Sequence, residues 1–160
     1  MNKIIVTRHS ACTIFLLGAF LLGFSASASA QDAGRTYGHW KYSCKNGECV
    51  VKQGLKDNSR PEIIYGSQFQ IMQGSGKTSM TLLFPLGIYL PPGVGVRVGS
   101  EERDIPMAVC LPRGCEAMIM TDAALLEALR SQESFKVRFY TFTNKPAEIE
   151  FSLDGFKEAY

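Results

Sequence analysis

Phe135-Lys136-Val137-Arg138-Phe139 and Glu148-Ile149-Glu150-Phe151-Ser152-Leu153 lie either side of an Asn144-Lys145-Pro146 turn. In both runs apolar residues alternate with charged or polar ones, the period of a half-buried β-strand. Setting Phe139 opposite Ile149 puts Arg138 opposite Glu150, so the apolar and charged faces agree in one antiparallel register. The same reading applies upstream. Ile63, Tyr65, Phe69 and Ile71 share odd positions while Gln68 and Gln70 take even ones, and Val94, Val96 and Val98 alternate again. Ser79–Phe84 is a nearly continuous apolar run after a Gly-Ser-Gly turn, which suits a more buried strand. Trp40–Ser43 and Glu48–Val51 flank Lys45-Asn46-Gly47, and Asn-Gly is a strong hairpin signal because both residues tolerate positive φ.

Between these strands the turn chemistry is dense. Gly54–Pro61 reads as a polar loop and Glu101-Glu102-Arg103-Asp104 as a solvated one. Pro85, Pro91, Pro92 and Gly93 bound Leu86–Leu90 as a short strand or bend between rigid corners. Pro106–Leu111 and Glu116–Met120 read as two short strands around Pro112-Arg113-Gly114. One amphipathic helix is expected from Thr121 or Asp122 to about Ser131, with Thr121 as its cap, Asp122 complementing the dipole, and Leu125, Leu126 and Leu129 on its apolar face. Many short strands and a single helix predict a mainly β fold, an antiparallel β-sandwich or partly open barrel. Residues 40–160 form one domain, and residues 31–39 a flexible leader.

The N-terminus carries an address. Lys3, Arg8 and His9 precede an apolar run from Ala11 to Phe24, and Ala28-Ser29-Ala30 closes it. A basic head, a short apolar stretch and an A-x-A exit are the parts of a secretory signal peptide over residues 1–30, cleaved between Ala30 and Gln31. The run is short of the ~20 residues that span a bilayer, so no membrane span is expected after cleavage. Of the 160 residues, 130 then remain, and the formal charge falls from +2 to zero because Lys3 and Arg8 are lost. A neutral chain lacks the basic excess of a nucleic-acid binder. The predicted location is periplasmic or secreted.

Four cysteines remain in that oxidising compartment: Cys44, Cys49, Cys110 and Cys115. A two-residue Asn46-Gly47 turn makes Lys45 and Glu48 the closing pair and sets Cys44 opposite Cys49 at the next, non-hydrogen-bonded position. Pro112 suits the first corner of a turn and Gly114 a left-handed position after it, so Cys110 and Cys115 also meet across a hairpin. Both pairs therefore predict structural disulfides of the hairpin type. Zinc is disfavoured, since His39 is the one histidine left and the exported chain meets oxidant first.

Catalytic equipment is sparse. Gly74-Ser75-Gly76-Lys77-Thr78 imitates the end of a phosphate-binding loop, but Ile71 stands where the pattern needs glycine and a strand-like run follows. His39 adjoins Trp40 without a nucleophile motif nearby, although triads assemble in space rather than in sequence. Glu148 and Glu150 share a face with Lys136 and Arg138, which fits a salt-bridged surface better than acid–base chemistry. Neither a cofactor nor a metal motif is present.

Three blocks carry a family likeness: Phe84-Pro85-Leu86-Gly87-Ile88-Tyr89-Leu90-Pro91-Pro92-Gly93-Val94, Cys110 to Ala117, and Phe151 to Ala159. With the early Trp40, Cys44 and Cys49, they make the chain resemble the invasion-associated locus B family of exported alphaproteobacterial proteins. The resemblance implies a β-rich envelope protein, linked to host-cell invasion in pathogenic members, and no catalytic residues. The expected function is a noncatalytic binding or accessory factor using a sheet edge or the Pro/Gly-rich loops to meet a protein or surface partner in the envelope or on a host. The alternatives are a periplasmic hydrolase around His39 and a small-ligand carrier with a cavity between sheet and helix.

Overall fold

A computed structural model describes residues 34–61, 64–72 and 76–160. The proposed signal peptide, its Ala30–Gln31 cleavage point and residues 31–33 of the expected leader lie outside the described residues.

Two antiparallel sheets form an open sandwich rather than a closed barrel. The larger contains β1 (Arg35–Tyr37), β2 (Trp40–Lys45), β3 (Glu48–Lys56), β4 (Ile64–Met72) and β5 (Lys77–Phe84). The smaller takes β6 (Val94–Val98) and β7 (Glu101–Ile105), and the chain then returns to the larger with β8 (Met107–Leu111) and β9 (Gly114–Met120). Helix α1 (Ala123–Ser131) leads to β10 (Ser134–Tyr140), β11 (Pro146–Ser152) and one C-terminal turn of helix, α2 (Phe156–Ala159). The strand orders are β1-β2-β3-β4-β5-β9-β8 and β11-β10-β6-β7.

The core is the set of inward faces that the alternation marks. Trp40, Val51, Phe69, Met80 and Leu82 of the larger sheet join one buried cluster with Val96, Phe135, Val137 and Phe151 of the smaller. Aromatic pairs cross between the layers: the Tyr65 and Phe84 rings lie 5.5 and 5.4 Å from Phe139. At one end Trp40 meets Phe69 and Phe156 at 5.6 and 5.0 Å, and its indole N–H donates to the Ser152 carbonyl at 2.9 Å. Leu125 and Leu129 of α1 enter the same cluster, so side chains occupy the space where a carrier would need its cavity.

Four local expectations change. In the β10–β11 hairpin Val137 faces Ile149 and Arg138 faces Glu148, two residues from the expected register. The connection is Thr141–Lys145, closed by Thr141 N–H to the Lys145 carbonyl at 2.8 Å, with Asn144 left-handed at φ 57°. Pro146 therefore starts the edge strand β11 instead of ending the turn, a position where its missing N–H costs no ladder bond. A slip of two keeps every side chain on its face, which is why the pattern alone did not resolve it.

The leader is not loose where it is described. Arg35–Tyr37 pair with Trp40–Tyr42, and His39 N–H donates to the Asp154 carbonyl at 3.1 Å, tying this segment to the C-terminal turn. Gly54 belongs to a strand, since β3 continues to Lys56 with Gly54 opposite Gly66. Glu101–Ile105 is likewise a strand: Glu102 and Asp104 are exposed, while half-buried Glu101 and Arg103 share the face of buried Ile105, and Arg103 pairs with Glu101 at 2.8 Å and Asp122 at 3.1 Å.

Asp122 is the N-cap of α1, accepting from Leu125 N–H at 2.8 Å. That bond first, and the Arg103 guanidinium second, hold its carboxyl below the usual carboxylate range. A lowered folded pKa adds stability above the ordinary value near pH 4 and loses it as pH falls through the folded one. Asp122→Ala should therefore lower the melting temperature at neutral pH, with the difference from wild type shrinking as pH falls below about 4. Thermal melts of both proteins across that range check it; a pH-independent difference would refute the charge contribution.

Candidate functional site: two exposed surfaces on a pinned sandwich

Both disulfides form as the hairpins require. Cys44–Cys49 and Cys110–Cys115 have Cα separations of 4.1 and 3.9 Å. Asn46 and Gly47 take φ 52° and 83°, with Lys45 and Glu48 as the closing pair. The second turn is two residues, Pro112-Arg113, because Leu111 pairs with Gly114. Gly114 has φ 143°, outside the left-handed turn position, and a Cβ there would lie 2.3 Å from the Phe84 carbonyl. Close approach of β9 to β5 is what requires glycine. Loops this short remove little unfolded-chain entropy, about 2 kcal/mol per bridge, so the bridges mainly hold hairpin geometry.

One surface is apolar and sits on the Pro/Gly-rich loop. Tyr89 N–H donates to the Tyr140 carbonyl at 2.9 Å and Ile88 bridges Thr141, which joins the 85–93 segment to the β10–β11 hairpin loop. On these joined loops Phe142 is 75% exposed and Leu86 59%, with Tyr89 and Leu90 also exposed. Gly93, at φ 68°, lets the loop turn against the Ile105 carbonyl, which a Cβ would meet at 2.4 Å. A related feature is the edge strand β8. It carries no charged residue, unlike β1, β7 and β11 at the other edges, and it leaves Val109 and Leu111 exposed. A register shift between Met107 and Val109 bends it, a common guard on exposed edges.

The second surface is the solvent face of the larger sheet, a broad open depression of about 820 Å³. Cross-strand pairing sets Lys41, Lys52, Gln68, Thr81 and Met118 in one row over β2, β3, β4, β5 and β9. The adjacent row holds Gly54, Gly66, Leu83 and Glu116, and the two glycines leave its floor low. His39 and Arg113 stand at its margin. Arg113 is ion-paired with Glu116, the one carboxylate lining the depression.

His39 is exposed, and among the described residues its imidazole makes no hydrogen bond to a hydroxyl or thiol. Ser67 lines the depression, yet its hydroxyl is buried on the other side of the sheet. The residues needed for the hydrolase reading are therefore not brought together here. No group of three or more His, Cys, Asp or Glu able to hold a metal occurs among the described residues. Lys77 and Thr78 begin strand β5, so no helix follows the glycine-rich turn to receive a phosphate. Glu148 sits 3.1 Å from Lys136 and 3.7 Å from Arg97, the salt-bridged face that the alternation predicts.

Packed antiparallel sheets, two hairpin disulfides and exposed loop and sheet surfaces define a disulfide-pinned β-sandwich protein. The chain belongs to the Invasion associated locus B (IalB) protein family, whose pattern matches residues 40–160. It is 27% identical over 149 residues to an invasion protein B homolog of Brucella abortus, covering 89% of this chain and 84% of that protein. It is 25% identical over 140 residues to invasion protein B of Bartonella bacilliformis, covering 81% and 74%. The crystal structure of invasion associated protein b from Bartonella henselae has the same fold, with a TM-score of 0.71 at 22% identity over 79% of this chain and 92% of that one. No described helix is long and apolar enough to cross a membrane.

Proposed function

We propose that this chain is an exported, noncatalytic binding or accessory protein of the cell envelope, released from its signal peptide after Ala30. Its protein partner docks on the joined loops that carry Leu86, Tyr89, Leu90 and Phe142. One observation carries this reading: a large aromatic, Phe142, is held three-quarters exposed beside other apolar side chains on hydrogen-bonded, proline-bounded loops. Rigid exposed aromatics lose little entropy on docking and serve as anchors in interfaces, and a cluster of them is the kind of patch that marks an interaction site. The disulfides suit an oxidising compartment, and the Brucella and Bartonella relatives carry names that refer to invasion. In an invasive organism the same loops would face a host surface.

The test is a photo-crosslinking amino acid placed at Phe142 in living cells, with the same residue at exposed Glu102 on β7 as control. Discrete protein adducts at 142 and not at 102 are expected, and a second substitution, Leu86→Ser, should diminish them. Equal labelling at both positions, or none at 142, would refute the reading.

A further inference from the structure

The solvent face of the larger sheet presents a charge arrangement that the fold alone does not explain. Lys41 and Lys52 are direct cross-strand neighbours, so their Cβ atoms lie about 5 Å apart on one face. Like charges in that position are destabilising. Neither lysine has an ion pair or hydrogen bond among the described residues. Glu116, the one carboxylate in the depression, is already engaged by Arg113. Two uncompensated cations therefore stand together at one end of an open trough.

The remainder of the trough is polar but uncharged. Next to Lys52 in the row come Gln68 and Thr81, with Gln70 in the neighbouring row beside them. An amide both donates and accepts, and so does a hydroxyl. Leu83 and Met118 add a partly apolar ledge, and Gly54 and Gly66 keep the floor open. The row crosses five strands, about 19 Å at the usual strand spacing, which is longer than a small anion needs.

We infer that this face binds an extended acidic oligosaccharide, with Lys41 and Lys52 taking its carboxylate or phosphate groups and Gln68, Gln70 and Thr81 its hydroxyls. The alternatives fit less well. On the face of a sheet the backbone N–H and C=O groups are already committed to the ladders, so a peptide would find no strand edge on which to pair its own backbone. Single-stranded nucleic acid would need a succession of aromatic platforms for base stacking, and among the described residues the trough offers His39 at its margin and no Phe, Tyr or Trp. Mixed amide, hydroxyl and aliphatic surface matches the hydroxyls and C–H faces of sugar rings. The inference does not depend on the loop-docking reading, because the two surfaces share no residue.

The experiment titrates the purified protein with oligogalacturonate hexamer, neutral cellohexaose and hexaglutamate, by calorimetry and amide chemical-shift mapping. Binding of oligogalacturonate, with shifts confined to β2–β5 and β9 and weak or no binding of the other two, is expected. Phosphorylated and carboxylated hexasaccharides compared side by side distinguish the two anion sources. Lys41→Gln and Lys52→Gln should each weaken binding roughly tenfold without lowering the melting temperature, since each relieves repulsion. Crosslinking at position 142 should be unaffected by either. Equal affinity for hexaglutamate, equal affinity for cellohexaose, shifts mapping elsewhere, or no binding of any acidic hexasaccharide would each overturn the inference.

Discussion

Trp40→Ala should cost about 3–5 kcal/mol, the range for truncating a large buried aromatic. Domains of this size are stable by only about 5–15 kcal/mol, so much of the folded margin would go. The indole is fully buried, packs against Phe69 and Phe156, and donates to the Ser152 carbonyl of the opposite sheet. Removing it opens a cavity where β2, β11 and α2 meet, and α2 is too short to collapse into it. Trp40→Phe isolates the hydrogen bond. Most of the volume stays, and Gln53 Nε2, 3.3 Å from the same carbonyl, keeps that acceptor satisfied. A loss of about 1–2 kcal/mol is expected there. Urea unfolding followed by circular dichroism measures both, and a Trp40→Ala cost below about 1 kcal/mol would contradict the packing account.

Gly155→Ala should be nearly as damaging for a different reason. Gly155 has φ 80°, and a Cβ built there lies 2.1 Å from the Tyr37 carbonyl oxygen. The left-handed backbone alone costs an alanine about 1–2 kcal/mol. The clash is with backbone, so either β1 or the C-terminal turn must move, and a total on the order of 3 kcal/mol is expected. Gly87→Ala is the matched control: φ is 90° there but nothing lies within 4 Å of the new Cβ. It should show the backbone cost only. Hydrogen exchange separates the two further, because Gly155→Ala should expose the His39 amide that Asp154 now holds, whereas Gly87→Ala should not. Equal costs for the two variants would mean that the contact with Tyr37 relaxes freely.

Trp40→Ala and Gly155→Ala both probe the junction between the β1–β2 segment and the C-terminal turn, a junction of which the sequence disclosed little. Gly155 reads as an ordinary turn residue, and residues 34–39 read as polar and Gly-containing, hence loose. Their order comes from the pairing of Arg35–Tyr37 with Trp40–Tyr42 and from the bond of His39 to Asp154, more than a hundred positions away. The edge strand β7 was hidden for a related reason. Four consecutive charged residues imitate a solvated loop, and only pairing with β6 shows that their alternation puts Ile105 inside. The trough was hidden as well. Lys41 and Lys52 look like two unremarkable surface lysines until the register places them side by side, although the hairpin centred on Asn46-Gly47 implies that pairing. Nothing local marks Phe142 as exposed, because an aromatic in a strand-rich sequence is ordinarily a core residue.

Local chemistry was enough for much of the molecule. Alternation at period two assigns the side chains of β4, β6, β10 and β11 to a face whatever the partner, because a strand's geometry is set by its own backbone. Asn46-Gly47 and Pro112-Arg113 bring their flanking cysteines within bonding reach through turns of two residues, so both disulfides could be read within six-residue windows. Helix α1 was legible from its Leu125/Leu129 stripe, although the cap is Asp122 and not Thr121, one residue earlier, which the sequence also allows. Tertiary structure alone decided how the strands divide between two sheets, where β8 and β9 return to the first, and which surfaces remain uncovered. Those depend on contacts between residues far apart in the chain, and a periodic pattern says which side is apolar but not what comes to cover it.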